Sequence, residues 1–427
     1  MTLDAIHSLF LSCNGVATDT RKIDPACFFV ALKGEHFDAN TFAKEALAKG
    51  AKYVVIDNPD YYIDERTILV DNTLTTLQEL AKFHRNYLGL PIIALTGSNG
   101  KTTTKELIHA VLAQKYNTLA TLGNLNNHIG VPLTLLRFTK DTEIGIVEMG
   151  ANHQKEIAFL CSIAQPDFGY ITNFGKAHLE GFGGVEGVIK GKSEMYDYLI
   201  ENQKTIFVNL DDALQDQKTR AAHRYTFSTT DTNCAVYIEN VVANPMVCVT
   251  YNGLSIHSNL IGIYNAHNSN AAIAIGHYFK VDDAAIKTAL EKYIPENNRS
   301  QLIQKNGNEI ILDAYNANPS SMHAAIANFI QLQQVPKIAV LGDMFELGTE
   351  SPFEHGKVVA QLENETEITV YFVGKDFYDQ RIAKPHLHFF ETYAAFAETF
   401  QTKLPTNSLL LIKGSRGMAL EKTLDLF

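Results

Sequence analysis

The sequence lacks the features that mark several large classes of protein. Its five cysteines are odd in number and no two form a CxxC pair, so the thiols are predicted to be reduced and mostly core residues in a reducing compartment. No apolar run approaches the roughly 18 residues that span a bilayer. The opening MTLDAIHSLFLSCNG has no basic stretch of the kind that begins a signal peptide. We therefore expect a cytoplasmic protein with no membrane segment and no membrane partner.

Excess positive charge is absent as well. The formal net charge is −11, which argues against nucleic acid as a partner, because nucleic-acid binding favours a basic face. It does not exclude a negatively charged small substrate, since local basic sites occur in acidic proteins. The 427 residues are 46% apolar and 19% charged. At roughly 150 residues per domain, they are enough for about three globular domains, each with its own core.

Short apolar runs alternate with helical patterns along the whole chain. This alternation predicts α/β domains with mostly parallel sheets. We predict three domains, at residues 1–88, 89–296 and 297–427. The middle one contains a Thr-, Val- and Tyr-rich stretch at 224–262 that reads as a small β-rich part. The last has the strand–helix alternation of a doubly wound, Rossmann-like domain.

The strongest local signal is PIIALTGSNGKTTTKELIHAVLAQ, an apolar strand, a glycine-rich turn and a helix. Gly97 and Gly100 let the backbone approach phosphate oxygens, and successive N–H groups at the helix start bind the anion. Lys101 can reach the β- and γ-phosphates, and Thr102 can ligate Mg²⁺. The loop is a shortened form of the usual pattern, because Leu95 stands where that pattern has glycine. The segment predicts ATP binding rather than a plain strand-to-helix turn.

Three further residues are candidates for holding a metal. Glu148 ends the strand-like EIGIVEM and fits the second metal-holding group of a phosphate-loop enzyme, although an ordinary exposed glutamate is the alternative. His178 follows another strand; imidazole is an uncommon Mg²⁺ ligand, and alone this residue is typical of a surface or core histidine. Lys192 alone is typical of a solvated helical lysine. A buried lysine can instead lose its proton and react with carbon dioxide, giving a carbamate oxygen ligand.

Several segments together resemble one family. They are TGSNGKTT, GNLNNHIGVPLTLL (123–136), VEMGANHQKEI (147–157), ITNFGKAHLEGFG (171–183) and GKSE (191–194), and they are similar to the Mur ligases, a family of cell-wall amide ligases that includes folylpolyglutamate synthases. Three further segments resemble the branch of this family that adds D-alanyl-D-alanine, namely LDAYNANPSSMHAAI, VLGDMFELG and LIKGSRGMALE. The matches run from about residue 18 to residue 421, nearly the whole chain.

The resemblance implies a three-domain α/β enzyme. A small domain would bind UDP-N-acetylmuramoyl-tripeptide, a parallel-sheet phosphate-loop domain would bind ATP, and a Rossmann-like C-terminal domain would close over the nucleotide. The implied reaction activates the substrate carboxylate as an acyl phosphate and couples it to D-alanyl-D-alanine. The implied cofactors are two Mg²⁺ ions with a carbamylated Lys192, and the implied state is a monomer.

Residue roles follow from the resemblance position by position. The family's catalytic set corresponds to Lys101, Glu148, His178 and Lys192. The first magnesium position corresponds to Thr102 and Glu148, and the second to His178 and Lys192. The nucleotide contacts correspond to Gly97, Asn99, Gly100, Lys101, Thr102, Thr103, Asn265, Asn268, Arg299, Asp313, Tyr315 and Asn316. The contacts with the UDP substrate correspond to Thr18, Asp19, Thr20, Arg21, Asn126 and Asn127. The chain departs from the family at Asp38-Ala39-Asn40, where Asp-Gly-His is frequent, and at Tyr264, where histidine is frequent.

Three alternatives remain. A sister ligase that adds a single amino acid, or a folyl-type ligase, fits the GNLNNHIG and DAYNANP segments poorly. A phosphate-loop kinase or simple NTPase needs no amine and does not explain the motifs within 171–194. A non-catalytic relative would not be expected to retain the complete set of candidate catalytic residues.

Overall fold

We describe the fold from a computed structural model, which covers residues 1–296 and 298–427. The sheets fall into a first region (1–88), a central region (89–296) and a C-terminal region (298–427). The predicted boundary between residues 296 and 297 falls on Asn297, outside the described residues, so the domain limits stay predictions. Among the described residues, no helix combines the length and apolar character needed to cross a bilayer.

The first region is a small parallel sheet between helices. Its elements are α1 (Leu3–Leu11), β1 (Val16–Ala17), β2 (Phe28–Val30), β3 (Lys33–Gly34), β4 (Phe37–Asp38), α2 (Ala43–Ala48), β5 (Tyr53–Ile56), β6 (Thr67–Leu69) and α3 (Thr73–Leu88). The sheet order is β1-β2-β5-β6, with β3 and β4 as a separate hairpin. All three residues of β2 are buried, as expected for a strand covered on both faces. The α3 helix begins at its Asn72 cap and ends at Gly89, whose φ of 63° suits glycine.

The central region carries the phosphate loop. Its helices are α4 (Lys101–Leu112), α5 (Gly130–Leu135), α6 (Glu156–Ala164), α7 (Leu179–Phe182), α8 (Val185–Glu201), α9 (Ala213–Thr219), α10 (Ala266–Tyr278) and α11 (Asp283–Lys292). Its strands are β7 (Ile92–Thr96), β8 (Thr118–Ala120), β9 (Ile144–Glu148), β10 (Phe168–Ile171), β11 (Thr205–Asn209), β12 (His223–Ser228), β13 (Val236–Tyr237), β14 (Asn240–Ala243), β15 (Met246–Tyr251) and β16 (Leu254–Ile261).

Strand order places the phosphate loop at the middle of a wide sheet. Seven strands run in parallel in the order β13-β12-β11-β10-β7-β9-β8, while β14, β15 and β16 form a separate antiparallel sheet. All five residues of β7 are buried between β9 and β10. Because carboxyl ends of parallel strands meet at one edge of a sheet, the loops after β7, β9 and β10 converge there. The turn before Lys101 and the segment with His178 lie in the loops after β7 and β10, and Glu148 is the last residue of β9.

The C-terminal region is an open, mostly parallel sheet with helices, as the sequence predicts. Its elements are β17 (Gln301–Lys305), β18 (Asn308–Asp313), α12 (Pro319–Gln331), β19 (Lys337–Gly342), α13 (Ser351–Leu362), β20 (Ile368–Val373), α14 (Lys375–Tyr378), β21 (Leu387–Phe390), α15 (Tyr393–Gln401) and β22 (Leu409–Lys413). The order is β17-β18-β22-β19-β20-β21, and only β17 is antiparallel to its neighbour. The predicted α/β fold with mostly parallel sheets is confirmed.

Candidate functional site

The turn between β7 and α4 requires two of its glycines. Gly97 has φ 145°, and a Cβ there would lie 1.9 Å from Thr172 Oγ1. Gly100 has φ 78°, and a Cβ there would lie 2.5 Å from Asn268 Oδ1. Other residues rarely adopt these backbone angles, and here there is no room for a side chain. The loop is therefore pressed against β10 on one side and α10 on the other.

We expect Gly97→Ala to destabilise the protein by about 2–4 kcal/mol, from the overlap with Thr172 and the unfavourable φ together. Urea unfolding of the purified variant measures this change in the free energy of unfolding. Gly89→Ala is the matched control, because Gly89 has φ 63° but open space around it, so the variant carries the backbone cost without the overlap. Equal losses in both variants would contradict the close approach of Thr172.

Lys101, the first residue of α4, folds back onto its own loop. Its Nζ donates to the carbonyl of Gly97 at 2.7 Å and more weakly to that of Ser98 at 3.4 Å. Burial lowers the pKa of Lys101, the charge of Glu148 opposes that shift, and the charge of Arg299 adds to it. The ammonium of Lys101 therefore lies at the mouth of the phosphate loop, where it donates to two backbone carbonyls.

Glu148 and Thr102 meet at the carboxyl end of β9. Their side-chain oxygens, Thr102 Oγ1 and Glu148 Oε1, are 3.4 Å apart, and Asn126 Nδ2 donates to Oε1 at 2.8 Å. Glu148 is 1% exposed, and its Oε2 has no hydrogen-bond partner among the described residues. The nearest cation to Oε2 is Lys105 Nζ, at 3.7 Å. A buried carboxylate oxygen without a donor, beside a threonine hydroxyl, suits a hard cation such as Mg²⁺.

Mg²⁺ commonly binds through one or two carboxylates and completes its shell with water and substrate phosphates. Thr102 and Glu148 offer one hydroxyl and one carboxylate oxygen for such a site. Within residues 1–296 and 298–427, no three or more His, Cys, Asp or Glu side chains are grouped so that they could hold a metal ion.

His178 lies on the wall of the same cleft, immediately before α7. Its φ of 52° is uncommon for a residue other than glycine. Its Nδ1 contacts the carboxylate of Glu346, which comes from the C-terminal region. Burial lowers the pKa of His178, and the Glu346 carboxylate opposes the shift. The pairing of His178 with Glu346, 168 residues away, was not predicted from the sequence.

Lys192 is buried rather than solvated. It lies in the middle of α8, is 1% exposed and donates from Nζ to the carbonyl of Ala151 at 3.2 Å. Burial lowers its pKa well below the usual value, and the nearby charge of Lys101 adds to the shift. Lys192 lies behind the cleft lining, to which Ala151 belongs. Its surroundings favour a neutral amine, the form that reacts with carbon dioxide.

Asn265 and Asn268 form a buried network behind the loop. Asn268 accepts from Thr104 Oγ1 at 3.0 Å and donates to Asn265 Oδ1 at 2.8 Å. Asn265 in turn donates to the carbonyl of Ile261 at 2.7 Å. Both asparagines also line the cleft. They connect α10 to the first turn of α4 and fix the position of the loop.

The C-terminal region contributes an aromatic and charged wall to the cleft. The guanidinium of Arg299 lies 3.6 Å from the centre of the Tyr315 ring, and Asp313 Oδ2 pairs with Lys413 Nζ at 2.5 Å. Lys413 also approaches the carbonyl of Asn316 at 3.5 Å. A flat ring with a stacked cation and a nearby carboxylate can contact a nucleotide base and ribose.

One cleft of about 720 Å³ brings most of the predicted residues together. Its lining includes fifteen of them, namely Asn99, Gly100, Lys101, Thr102, Thr103, Asn126, Asn127, Glu148, His178, Asn265, Asn268, Arg299, Asp313, Tyr315 and Asn316. Gly97 and Lys192 lie outside this lining.

The four predicted residues of the first region, Thr18, Asp19, Thr20 and Arg21, also lie outside the cleft lining. Asp19 caps a short turn and pairs with Arg21 at 2.7 Å, and the hydrogen bonds from Arg21 lower the pKa of Asp19 to about 2. Nearby, Asn40 is fully buried and its Nδ2 donates to Asp57 Oδ1 at 2.9 Å. Asn40, which stands where histidine is frequent in the family that the sequence resembles, therefore has a structural role.

Sequence reasoning missed several residues of the cleft. Asn318 donates from Nδ2 to Asn99 Oδ1 at 2.7 Å, which joins the C-terminal region to the phosphate loop. It also caps α12, and its position before a proline was a signal for that cap. Asn173 accepts from the backbone N–H of Asn99 at 3.1 Å. Lys413 and Glu346 gave no local signal, because their partners are distant in sequence.

Comparison with known proteins assigns the whole chain to one family. Three family models match: the Mur ligase family catalytic domain at residues 12–85, the Mur ligase middle domain at 95–276, and the Mur ligase glutamate ligase domain at 298–416. The UDP-N-acetylmuramoyl-tripeptide--D-alanyl-D-alanine ligase of Bacillus subtilis is 37% identical over 424 residues, covering 96% of this chain and 92% of that protein.

Solved structures agree with this assignment. A crystal structure of MurF from Acinetobacter baumannii has a TM-score of 0.86 and 32% identity, covering 100% of this chain and 98% of the other. MurF ligase from Thermotoga maritima, in complex with ADP, has a TM-score of 0.84 and 26% identity, covering 98% and 97%. The fold, the cleft and these similarities over the full length lead to one conclusion: the chain belongs to the Mur ligase family.

Proposed function

We propose that this protein is an ATP-dependent ligase that joins D-alanyl-D-alanine to UDP-N-acetylmuramoyl-tripeptide. The products are UDP-N-acetylmuramoyl-pentapeptide, ADP and phosphate, in peptidoglycan precursor synthesis. The observation that carries the proposal is the single cleft in which Lys101, Thr102 and Glu148 face the Arg299–Tyr315 wall. The two substrates in this proposal are those in the name of the Bacillus subtilis relative, which is similar to this chain over nearly its full length.

The first step would be phosphoryl transfer on the loop. A carboxylate oxygen of the tripeptide attacks the γ-phosphorus, the new O–P bond forms, and ADP leaves. Backbone N–H groups after β7 bind the phosphates, and Lys101 exchanges the Gly97 carbonyl for phosphate oxygens. In such transfers the protein acts mainly by positioning the reactants and neutralising charge. The product is an acyl phosphate.

The second step would form the amide. The amine nitrogen of the dipeptide attacks the activated carbonyl carbon, and phosphate leaves from the tetrahedral intermediate. The C-terminal region contributes position and water exclusion, through the Asn318–Asn99 contact and the 2.9 Å bond from the Lys176 N–H to Ser320 Oγ. Both contacts lie beside the phosphate loop, so they place the two regions around the reacting groups.

We infer that Thr102 and Glu148 hold one Mg²⁺ ion and that His178 and the carbamate of Lys192 help to hold a second. Bound Mg²⁺ would neutralise negative charge on the phosphoryl oxygens. The Oε2 atom of Glu148, which has no hydrogen-bond partner among the described residues, supports the first assignment. The burial of Lys192, which with the nearby charge of Lys101 lowers its pKa, supports the second. Asn126 then orients Glu148 through its 2.8 Å bond.

We also propose domain limits, substrate contacts, an oligomeric state and a cellular location. Residues 1–88 would form the UDP-substrate domain, 89–296 the ATP domain and 297–427 the closing domain. The uridine end would contact Thr18, Asp19, Thr20 and Arg21. The sugar and its phosphates would contact Asn126 and Asn127. We further propose a monomer that acts in the cytoplasm, where ATP and nucleotide-linked precursors are present.

The decisive experiment is an assay of ATP-dependent phosphate release with Mg²⁺ and UDP-N-acetylmuramoyl-tripeptide. Three parallel reactions contain D-alanyl-D-alanine, single amino acids, or no amine. We expect stoichiometric phosphate and a UDP-pentapeptide only with the dipeptide. Turnover with a single amino acid would instead indicate a sister ligase, and release without any amine would indicate a kinase or NTPase.

A further inference from the structure

Residues 176–180 of the central region are held by the C-terminal region at several points. The Lys176 N–H donates to Ser320 Oγ at 2.9 Å, and Lys176 Nζ pairs with Glu354 Oε1 at 2.6 Å. Because Glu354 is almost fully buried, this ion pair is better shielded from water than a surface pair. The segment around His178 is therefore anchored by a part of the chain more than 140 residues away in sequence.

Glu346 holds the other side of the same segment. Its backbone carbonyl accepts from the Glu180 N–H at 3.2 Å, and its carboxylate contacts His178 Nδ1. His178 and Glu346 have φ values of 52° and 61°. Such backbone angles are uncommon outside glycine and persist where surrounding contacts fix them. Two unusual backbone conformations thus meet at one contact between the regions.

The contact with the Glu346 carboxylate determines which nitrogen of the His178 ring carries the hydrogen. An ionised carboxylate only accepts hydrogen bonds, so the nitrogen that faces it, Nδ1, carries the hydrogen. In the neutral ring the other nitrogen, Nε2, then keeps its lone pair. Because His178 lines the cleft, its Nε2 lone pair would be the one that binds a metal ion there.

We propose that Glu346 is a positioning residue for His178, supplied by the C-terminal region only when it is docked on the central region. Docking of the two regions then orients the His178 ring as well as enclosing the substrates. This inference rests on the proposed function for its catalytic consequence. The contact itself is independent of that function and is tested separately.

The contact is tested by NMR on protein labelled with ¹⁵N-histidine, without substrates or metal. His178→Gln identifies the His178 signals among those of the 15 histidines. We expect Nδ1 to be protonated in the wild type and in Glu346→Gln, whose amide oxygen still accepts. Glu346→Ala should shift the proton toward Nε2. Glu350→Ala, an exposed glutamate in the next turn, should leave the signals unchanged.

The catalytic consequence is tested with the same variants. We expect Glu346→Ala to raise the Mg²⁺ concentration for half-maximal turnover by about ten- to a hundredfold, as loss of a partner that orients a ligand typically does. The KM for the UDP substrate should stay near wild type, and Glu346→Gln should restore most of the loss. Because the Glu346 side chain is 52% exposed, the alanine variant should remain folded, which its unfolding midpoint checks.

Distinct results would overturn the two claims. An unchanged His178 tautomer in Glu346→Ala, or an unchanged Mg²⁺ requirement, would overturn the positioning role. Equal effects of Glu346→Ala and Glu350→Ala would also overturn it, since a general disturbance of the interface would then explain both. Absence of amide formation by the wild type would overturn the proposed function, whatever the NMR result.

Discussion

Lys101→Ala should lower turnover by about a thousandfold, equivalent to about 4 kcal/mol of lost transition-state stabilisation. The reason is that Lys101 is the first residue of α4 and its ammonium lies at the loop that would hold the β- and γ-phosphates. The fold should survive, because the hydrogen bonds of Nζ go only to the carbonyls of Gly97 and Ser98. Steady-state phosphate release measures the loss.

Lys115→Ala is the control for this experiment. Lys115 follows the same helix and carries the same charge, but it lies on the surface, where its Nζ contacts the carbonyl of Lys280 at 2.7 Å. We expect nearly wild-type turnover from Lys115→Ala. A Lys101→Ala enzyme with the wild-type rate would mean that the 97–104 loop is not the site of phosphoryl transfer.

Lys192→Met should have opposite effects on activity and stability. Activity should fall by at least about a hundredfold, because the variant cannot form the carbamate that would help to hold the second metal. The free energy of unfolding should rise, because methionine fills similar space without the cost of burying an amine that donates to the carbonyl of Ala151. Phosphate release and urea unfolding measure the two effects.

Two comparisons make this prediction specific. Lys190→Met changes an exposed lysine of the same helix and should alter neither activity nor stability. Removal of carbon dioxide and bicarbonate should lower the activity of the wild type, and added bicarbonate should restore it. A Lys192→Met enzyme with wild-type turnover would rule out a role for a carbamate at this position.

The phosphate-binding roles of Gly97, Gly100 and Lys101 stay predictions, but the elements that carry these residues were predictable. The strand, turn and helix at residues 92–112 are adjacent in sequence, so their signal is local. The same holds for the α/β fold, since apolar strand segments and helical patterns follow one another along the chain. Edge strands such as Gln301–Lys305, with polar residues at both ends, gave a weaker pattern.

Burial and long-range pairing were not predictable. Nothing near Lys192 distinguishes it from the exposed Lys190; only the packing of α8 against the 150–158 segment does so. The partners of Asn99 and His178, namely Asn318 and Glu346, lie 219 and 168 residues away. Such pairs depend on how whole regions dock, which no local pattern encodes.

The anchoring of residues 176–180 by the C-terminal region has a consequence for protein engineering. Exchanging residues 298–427 for the same region of another ligase would separate Lys176 from Glu354 and His178 from Glu346, unless the donor has matching side chains. A chimera that also imports the short segment after β10 would keep each contact within one parental sequence. The unit of exchange in this molecule is therefore discontinuous, because it consists of the C-terminal region together with a short segment of the central region.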